Sequence, residues 1–410
     1  MAPKSEQIAQ LVGSFANFAR RYGFELVISP MFEDVGVYNR GIGETSEVAR
    51  KEMYVFEDRG GRSLALRPEG TASIVRAFIQ HRPTTPWKAW YVTPAFRYER
   101  HQAGRYRQHH QVGVEVLGSD DPTLDVEVIS LAWRFYESLG LAHVTLMINS
   151  MGDEACRPQY LVALSEHLAA HERDLCDEHA VSWRTNALRV LDCKKESCIS
   201  VTSNGPMLRD HLCNPCREHF SSVTAGLDAL EIDYSTSDRL VRGFDYYTRT
   251  TFEFASDAMN SAQNAIGGGG RYDRLTEQLG GPSTPGIGFG SGLERILIAL
   301  EAEDIVLDVG SLCEVFVVDT TGGAQAMVLC DELRAGGLAV ERSYDQRSMK
   351  SQMKQADRSG ALVAVLVGPQ ELDNGTVTLR DLRSDSDQRQ RVVERSAIAA
   401  AIHTLRNEMT

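Results

Sequence analysis

The chain has 410 residues, and at about 150 residues per domain this length predicts two to three domains. Hydrophobic residues make up 42% and charged residues 24%, a globular composition that excludes disordered, collagenous and coiled-coil proteins. The net charge of −13 excludes a generally basic surface, so any contact with nucleic acid must come from local clusters of Lys and Arg.

The first 150 residues predict an α+β arrangement. Apolar residues in 5–22 recur three and four positions apart, which is typical of an amphipathic helix. Pro122 stands at the start of another strong helical pattern. The predicted helices of this part are 5–22, 71–80 and 122–139, and the predicted strands are 24–29, 53–56, 63–66, 88–98 and 110–117.

The character of the chain changes at about residue 153. Residues 153–232 hold six of the eight Cys and at least two helical stretches. Strand patterns return at 240–254 and 267–273, and a Gly-rich turn at 285–292 leads into a helix over 293–303. Beyond about residue 312, strands alternate with helices, which predicts a compact α/β domain with a mainly parallel sheet. These strands are 314–319, 361–368 and 376–382, and the helices are 322–336 and 346–359.

No segment predicts a membrane span or export. The apolar runs are far shorter than the roughly 20 residues that cross a bilayer, and the N-terminus mixes charged with apolar residues, unlike a secretory signal. Eight Cys are too few for a disulfide scaffold in a chain of this length. We therefore expect a cytoplasmic protein with reduced thiols.

Basic side chains are densest in 88–110. This segment has five Lys or Arg and one acid, and Arg97, Glu99, Arg105 and Arg107 recur at even spacing. Even spacing on a strand places side chains on one face. Three guanidinium groups with one carboxylate would suit a polyphosphate joined to a base with an exocyclic amine. A solvated hairpin with salt-bridged charges accounts for the same residues.

Three further segments each fit a functional and a structural interpretation. The Gly-rich 286–295 fits a phosphate site at a helix N-terminus or a tight turn. Paired tyrosines with Arg242 in 240–254 fit a polar pocket or an ordinary strand. Thr71 fits a ligand-facing residue or a helix cap. No G-x-x-x-x-G-K-[ST] motif is present, which excludes a P-loop nucleotide site.

The cysteines between 193 and 216 follow the pattern C-x4-C-x14-C-x2-C. The pair Cys213 and Cys216 has the spacing of a zinc knuckle, whereas Cys193 and Cys198 are spaced more widely than usual. Structural zinc and partly buried reduced thiols both remain open interpretations.

The order of these segments is more specific than any one of them. The segments 22–33, 96–117 and 286–298 resemble motifs 1, 2 and 3 of class II aminoacyl-tRNA synthetases. The sequences RPEGT at 67–71 and LVRGFDYY at 240–247 narrow this resemblance to the histidyl-tRNA synthetase family. The segment 343–383 is similar to that family's anticodon-binding domain.

The resemblance implies an α+β fold with an antiparallel sheet of six to seven strands flanked by helices, and a dimer formed through motif 1. The catalytic domain would be split by a helical insertion and followed by a C-terminal α/β anticodon-binding domain. The implied bounds are 1–152 and 233–310 for the two parts of the catalytic domain, 153–232 for the insertion and 311–410 for the anticodon-binding domain.

The resemblance also implies a reaction. L-Histidine and ATP would form histidyl-adenylate and pyrophosphate, and the histidyl group would then pass to the terminal ribose of histidine tRNA. Magnesium is expected with ATP, although the residues do not indicate its ligands. The implied partners are therefore L-histidine, ATP, histidine tRNA and a second copy of the chain.

Residue roles follow from the matched positions. Arg97 and Arg242 are the implied catalytic cations at the α-phosphate. ATP would contact Arg97, Glu99, Arg105, Arg107, Arg242 and Arg295. Histidine would contact Glu69, Gly70, Thr71, Gln111, Glu115, Tyr246, Tyr247 and Tyr272. The tRNA would contact Arg100, Gln102, Arg347, Lys350 and Lys354.

The sequence departs from the family pattern in its leader and in the motif 2 loop. The short Gly-Thr-x-Asp leader is not seen before the first helix, so we expect a shortened site rim or dimer contact. His101 and His109 replace the usual Pro and Phe. Two other functions are alternatives: a non-catalytic paralogue such as the regulatory subunit of ATP phosphoribosyltransferase, and a tRNA-binding module without activity. The segment 343–383 and the complete set of arginines favour the enzyme.

Overall fold

The computed structural model of the chain describes residues 1–43, 46, 48–99, 104–259, 264–307, 309, 312–383 and 390–408. The chain forms two compact units, Met1–Leu307 and Asp308–Thr410. Within the described ranges, no helix combines the length and the apolar character that crossing a membrane requires.

The first unit contains a large and a small sheet. Its strands are β1 (Glu25–Leu26), β2 (Phe32–Asp34), β3 (Val55–Glu57), β4 (Ser63–Leu66), β5 (Trp87–Phe96), β6 (Gln108–Leu117), β7 (Val144–Ser150), β8 (Ser235–Thr236), β9 (Thr248–Ser256), β10 (Ala265–Arg271) and β11 (Gly286–Gly292). The large sheet has the order β1-β5-β6-β11-β10-β9-β7-β8, and β2, β4 and β3 form the small one. The six long strands pair antiparallel, and β1 and β8 each add a short parallel pair at one edge. The predicted antiparallel sheet flanked by helices is therefore confirmed.

Helices cover both faces of the large sheet. They are α1 (Lys4–Arg21), α2 (Val35–Ile42), α3 (Thr71–His81), α4 (Pro122–Ser138), α5 (Arg157–Ala170), α6 (Asp177–Ser182), α7 (Glu196–Ser203), α8 (Asn214–Ala229), α9 (Leu275–Gln278) and α10 (Leu293–Ala302). The main core lies between one sheet face and α1, α4, α8 and α10. On the other face, Ile74 of α3 packs against Ala89 and Tyr91 of β5.

The alternation of side chains along the central strands separates the core from a polar face. In β6, Val112, Val114 and Val116 enter the main core. Because successive strand residues point to opposite faces, Gln111 and Glu115 lie on the side of α3. The two-residue period thus directs the polar side chains of β6 toward one place.

Residues 285–292, predicted as a turn, form strand β11 in the middle of the sheet. Its apolar Ile287 and Phe289 enter the main core, and the alternate positions are all glycine. The prediction was wrong because these glycines provide room on one strand face. The strand prediction for 240–254 was also wrong in its first half, since β9 begins only at Thr248.

The segment between β7 and β9 contains an insertion, 151–216, with its own core. The later part of the segment returns to the rest of the unit, since α8 packs in the main core and β8 pairs with β7. The two ends of the segment leave the sheet side by side, because Met151 N–H donates to Arg249 O and Arg249 N–H donates to Gly152 O. Five of its cysteines pack with apolar residues of α5 and α7 in a second buried cluster. Short helical turns at Glu172–Asp174, Ala187–Asp192 and Leu208–His211 connect its helices.

The second unit is a five-stranded sheet with helices. Its elements are β12 (Val315–Asp319), α11 (Ala324–Ala335), β13 (Val340–Arg342), α12 (Met349–Ser359), β14 (Val363–Val367), α13 (Pro369–Asn374), β15 (Thr376–Asp381), β16 (Gln390–Glu394) and α14 (Ile398–Glu408). In the order β13-β12-β14-β15-β16, the first three strands pair in parallel, whereas β15 pairs antiparallel with both β14 and β16. The mainly parallel prediction therefore holds for three strands, and the sequence patterns missed β13, β16 and α14.

A buried ion cluster joins α4, β10 and α8. The guanidinium of Arg271 donates to Asp125, with Nε to Oδ1 at 2.8 Å, and pairs with Asp273 at 3.1 Å. His219 Nε2 lies 2.7 Å from the other oxygen of Asp125. The side chains of Arg271 and Asp125 are fully buried. Removing one partner would leave an uncompensated charge in the interior.

We expect Asp125→Ala to destabilise the first unit by about 3–5 kcal/mol, because the buried Arg271 loses its main counter-charge. Urea denaturation followed by circular dichroism would measure the change. The control is Asp192→Ala, whose partner Lys194 is exposed, with an expected loss below about 1 kcal/mol. Equal losses in the two variants would contradict this interpretation of the cluster.

Candidate active site

A cavity of about 240 Å³ opens on the glycine-bearing face of β11. Its wall combines the N-terminus of α3, the loop between β5 and β6, the segment before β9, and the start of α10. The sequence-predicted residues that it brings together are Glu69, Gly70, Thr71, Arg97, Glu99, Arg105, Gln111, Arg242, Tyr246, Tyr247, Tyr272 and Arg295.

Other predicted residues lie elsewhere. Glu115 is fully buried behind the wall, and Arg107 lies over the ring of Tyr98, 4.3 Å from its centroid, outside the cavity. Arg100 and Gln102, with the substituted His101, fall outside the residues that the structure describes. The remaining three, Arg347, Lys350 and Lys354, belong to the second unit.

One end of the cavity is acidic and buried. The carboxylate of Glu115 accepts a hydrogen bond from Thr71 Oγ1 at 2.7 Å and another from the hydroxyl of Tyr272. Glu69 accepts from the backbone N–H groups of Thr71 and Ala72, so it caps α3. Burial raises the pKa of Glu69 and raises that of Glu115 to about 8. This end therefore suits a ligand that donates hydrogen bonds.

Glycines make room for these groups. A Cβ built on Gly288 would lie 1.6 Å from Glu115 Oε2, and one on Gly70 would lie 2.4 Å from the ring of Tyr91. Neither distance is possible between real atoms. A Cβ on Gly286 would likewise lie 2.3 Å from the ring of Tyr272, so buried side chains require two of the four glycines of β11, Gly286 and Gly288.

Aromatic rings form a second wall. The rings of Tyr246 and Tyr247 lie 4.6 Å apart, and Tyr246 meets Tyr272 edge to face at 5.7 Å. Phe244 stacks obliquely on Tyr246 at 5.4 Å. This irregular segment packs its aromatics against the cavity, so the ordinary-strand interpretation does not hold.

The other end of the cavity is rich in guanidinium groups. Arg97 Nε donates to Pro68 O at 2.9 Å, and Arg242 Nη1 donates to Glu253 Oε2 at 2.6 Å. Arg295 Nη1 donates to Ala265 O. Among the described side chains, the buried Nε of Arg242 is one of the few polar atoms without a hydrogen-bond partner. Such a donor beside a cavity suits an anionic ligand.

The loop that carries Arg97, Glu99 and Arg105 is not a strand. Strand β5 ends at Phe96 and β6 begins at Gln108, so the even spacing does not place these residues on one strand face. Their described parts converge on the cavity through loop geometry, where Arg105 pairs with Glu99 at 3.3 Å. Arg107 turns away from them.

Sequence reasoning missed four residues of the site. Tyr91 and His109 line the cavity, and burial together with nearby Arg97 lowers the pKa of His109 to about 3. Glu253 holds Arg242, and Glu294 accepts from the backbone N–H of His110 at 2.9 Å while lining the cavity. Tyr91, His109 and Glu253 lie at the positions of β5, β6 and β9 that face away from the main core, and the two-residue period of these strands would have indicated them.

A larger cleft of about 660 Å³ adjoins the cavity. Its wall contains six arginines, Arg97, Arg105, Arg157, Arg184, Arg189 and Arg242, and five acids, Glu52, Glu99, Glu178, Asp192 and Asp245. The cleft is therefore mixed in charge, with arginines contributed by both the first site and the insertion.

Two groups of cysteines lie in the insertion, each with one further possible metal ligand. The first is Cys176, His179, Cys193 and Cys198, and the second is Asp153, Cys156, Cys213 and Cys216. The cysteines that the sequence pattern joined in one motif thus belong to separate groups.

In the second unit, exposed cations follow one side of α12. Arg347, Lys350 and Lys354 recur three and four positions apart and are all exposed. Buried Gln352 fixes the start of this helix, because its amide donates to Arg347 O at 2.8 Å and to Asp319 O at 2.7 Å.

Known proteins match both units. A family model described as histidyl-tRNA synthetase matches residues 1–296, and one described as an anticodon binding domain matches 314–407. A histidine–tRNA ligase from Mycobacterium marinum is 47% identical, covering 93% of this chain and 91% of its own. One from Halothermothrix orenii is 46% identical, covering 88% of each chain. The crystal structure of apo histidyl-tRNA synthetase from S. aureus matches with a TM-score of 0.81 and 34% identity, covering 98% of this chain and 97% of that one.

Proposed function

The chain belongs to the histidyl-tRNA synthetase family, and on this basis we propose that histidine and ATP react in its cavity. The activity is that of a histidine–tRNA ligase. L-Histidine attacks the α-phosphorus of ATP to give histidyl-adenylate and pyrophosphate, and the histidyl group then passes to the 3′ end of tRNA. The observation that carries the site assignment is a single cavity with a buried acidic end and an arginine-rich end.

ATP occupies the arginine-rich end in this proposal. Arg97 and Arg242 hold the α-phosphate and stabilise the charge that develops there in the transition state. Arg295 and Arg105 neutralise the outer phosphates, and Glu99 accepts from the adenine amine. Arg107, which lies outside the cavity, is not part of this set.

Histidine occupies the acidic end. Glu69, Thr71 and Gln111 lie where the α-amino group would donate hydrogen bonds. Glu115 lies behind the wall and accepts from Thr71 and Tyr272, so it would position the two hydroxyl groups that line the cavity and meet the imidazole. A site that pairs both ring nitrogens rejects apolar amino acids strongly.

We expect Gly288→Ala to raise KM for histidine more than about 10-fold, because the new methyl group displaces the Glu115 carboxylate and unpairs its hydrogen bonds. Histidine-dependent pyrophosphate exchange would measure KM. Gly13→Ala in α1 is the control, since nothing lies within 4 Å of its Cβ and Gly13 is not among the residues that line the cavity. A similar KM in both variants would refute the proposed position of the ring.

Magnesium is proposed to enter with ATP. Glu294 fits such an ion because its carboxylate lines the cavity near Arg295, and carboxylate oxygens with phosphate oxygens are the ligands that Mg²⁺ prefers. The bound ion would supply charge neutralisation between phosphates. His110 orients Glu294, with Nδ1 at 2.8 Å from Oε1.

The tRNA is proposed to contact both units. Its 3′ end is proposed to enter the arginine-containing cleft beside the cavity. Arg100 and Gln102 of the motif 2 loop, which fall outside the described residues, are proposed to contact it as well. The anticodon stem or loop fits the exposed cations Arg347, Lys350 and Lys354. We propose that the catalytic domain consists of 1–152 and 233–310, that 153–232 is the helical insertion, and that 311–410 is the anticodon-binding domain.

We expect Lys350→Ala/Lys354→Ala to raise KM for tRNA while leaving pyrophosphate exchange within about twofold of the unchanged chain, because these side chains are proposed to contact tRNA phosphates and not histidine or ATP. Each lost phosphate contact should reduce the slope of log K against log salt concentration by about one unit. Glu332→Ala, on the exposed side of α11, is a control for surface changes in the same unit. If the slope of log K against log salt concentration does not change, α12 is not part of the tRNA interface.

A homodimer in the cytoplasm completes the proposal. Exposed apolar side chains cluster along motif 1 and the small sheet: Leu26, Ile28, Met31, Phe32, Val55 and Phe56. Such a surface fits a buried interface between two copies. Light scattering should give twice the chain mass, and Ile28→Asp should give the monomer.

Pyrophosphate exchange into ATP tests the proposed function directly, with purified protein and each standard amino acid in turn. Exchange with histidine alone is the expected result. The absence of exchange with any amino acid in the folded protein would favour the non-catalytic alternative.

A further inference from the structure

We propose that the insertion between β7 and β9 binds two zinc ions, each held by three cysteines and one other side chain. The first site is formed by Cys176, His179, Cys193 and Cys198. The second is formed by Asp153, Cys156, Cys213 and Cys216. Within each group, the possible ligand atoms all lie within 4.8 Å of one another.

The distances in the first group match the edges of a zinc tetrahedron. A Zn–S bond of about 2.3 Å gives an S···S edge of about 3.8 Å, and Cys176 Sγ lies 4.0 Å from Cys193 Sγ. His179 Nδ1 lies 3.1 Å from Cys176 Sγ and 3.9 Å from Cys198 Sγ. A disulfide would require sulfurs about 2 Å apart.

The second group has the same form with a carboxylate as the fourth ligand. Asp153 Oδ1 lies 3.4 Å from Cys156 Sγ and 3.7 Å from Cys213 Sγ. The group offers three sulfurs and one carboxylate oxygen, a ligand set that zinc takes in structural sites.

Sequence spacing and backbone contacts support metal binding at both sites. Ligands come in local pairs separated by two residues, or by four between Cys193 and Cys198, as in structural zinc sites. In each group a backbone N–H donates to a sulfur: Cys176 N to Cys198 Sγ at 3.4 Å, and Asp153 N to Cys156 Sγ at 3.3 Å. Such donors orient sulfur ligands and stabilise their thiolates.

The two sites divide the insertion in a way that suits a structural role. The second joins the first turn before α5 to the start of α8, and so closes almost the whole insertion. The first joins the start of α6, the turn after Ala187–Asp192 and α7, which are among its shortest elements. Short helices with a small core gain most from such cross-links.

Metal analysis of the full chain, purified without chelators, tests this proposal. Inductively coupled plasma mass spectrometry should find about two zinc ions per chain, and about one in Cys198→Ser and in Cys216→Ser. Cys330→Ser is the matched control, because this buried cysteine lies outside both groups, and it should keep both ions.

The unchanged protein decides the question even if neither site variant folds. Less than about 0.2 zinc per chain after refolding with added Zn²⁺ would overturn the proposal. If Cys198→Ser loses one zinc ion but Cys216→Ser keeps both, the proposal of the second site is overturned. Removal of zinc with a chelator should lower the thermal midpoint, and added Zn²⁺ should restore it. Cobalt should replace zinc and give thiolate-to-cobalt absorption, which buried thiols without a metal site cannot produce.

Discussion

Arg242→Ala is expected to slow histidine-dependent pyrophosphate exchange by about 10²–10³-fold, with a smaller change in KM for either substrate. Arg242 Nη1 donates to Glu253, which fixes the guanidinium, while its buried Nε has no partner among the described groups. A fixed cation at the α-phosphate stabilises charge that is greatest in the transition state. Its loss therefore lowers kcat more than it weakens binding.

The controls separate lost catalysis from lost structure. Arg134→Ala removes an exposed arginine paired with Glu137 and should keep full activity. Arg242→Ala leaves Glu253 without its partner, so the double variant Arg242→Ala/Glu253→Ala should be equally slow. Recovery of exchange in the double variant would mean that the stranded carboxylate, and not the missing cation, caused the loss.

Glu115→Gln is expected to raise KM for histidine by about 10-fold, because the amide has one acceptor oxygen and leaves the Thr71 hydroxyl without its acceptor, a loss of about 1–1.5 kcal/mol. The amide keeps the shape of the side chain and can still accept from Tyr272. Titration of histidine in the exchange assay would measure the change. Glu99→Gln is the matched control at the ATP end and should leave KM for histidine unchanged.

The same variant carries a prediction about pH. Burial raises the pKa of Glu115 to about 8, above its ordinary value of 4.5. Between these values the folded chain holds a proton that the unfolded chain releases, so the free energy of unfolding falls as pH rises. Glu115→Gln has no such group and should therefore lose less stability than the unchanged chain between pH 5 and pH 8. An equal loss of unfolding free energy in the variant and in the unchanged chain between pH 5 and pH 8, measured by urea denaturation, would contradict this prediction.

Much of the fold was predictable because its helices and long strands have clear periods. The helices α1, α4 and α10 begin and end within a residue or two of their predicted bounds. Strand β11 was not predictable, because glycine at every second position is typical of a turn. Only the positions of Glu115 and Tyr272 in three dimensions explain why the strand needs glycine at 288 and 286.

The candidate site divides in a similar way. The resemblance to a family pointed to the residues that line the cavity, but it could not show that Arg107 turns toward Tyr98 while Arg105 turns inward. That difference arises in the loop between β5 and β6, where no backbone period constrains side-chain direction. The grouping of cysteines also depends on tertiary packing, since Cys176 is distant in sequence from Cys193 and Cys198, and Cys156 from Cys213 and Cys216.

The two ends of the segment between β7 and β9 meet the sheet at one place, where Met151 and Gly152 pair with Arg249. For the sheet, residues 151–216 are therefore part of one long connection, whose later part supplies α8 and β8. Doubling the length of a flexible loop changes its closure free energy by only about 0.6 kcal/mol. A change of length within 151–216 should therefore leave the strand order and register of the large sheet unaltered.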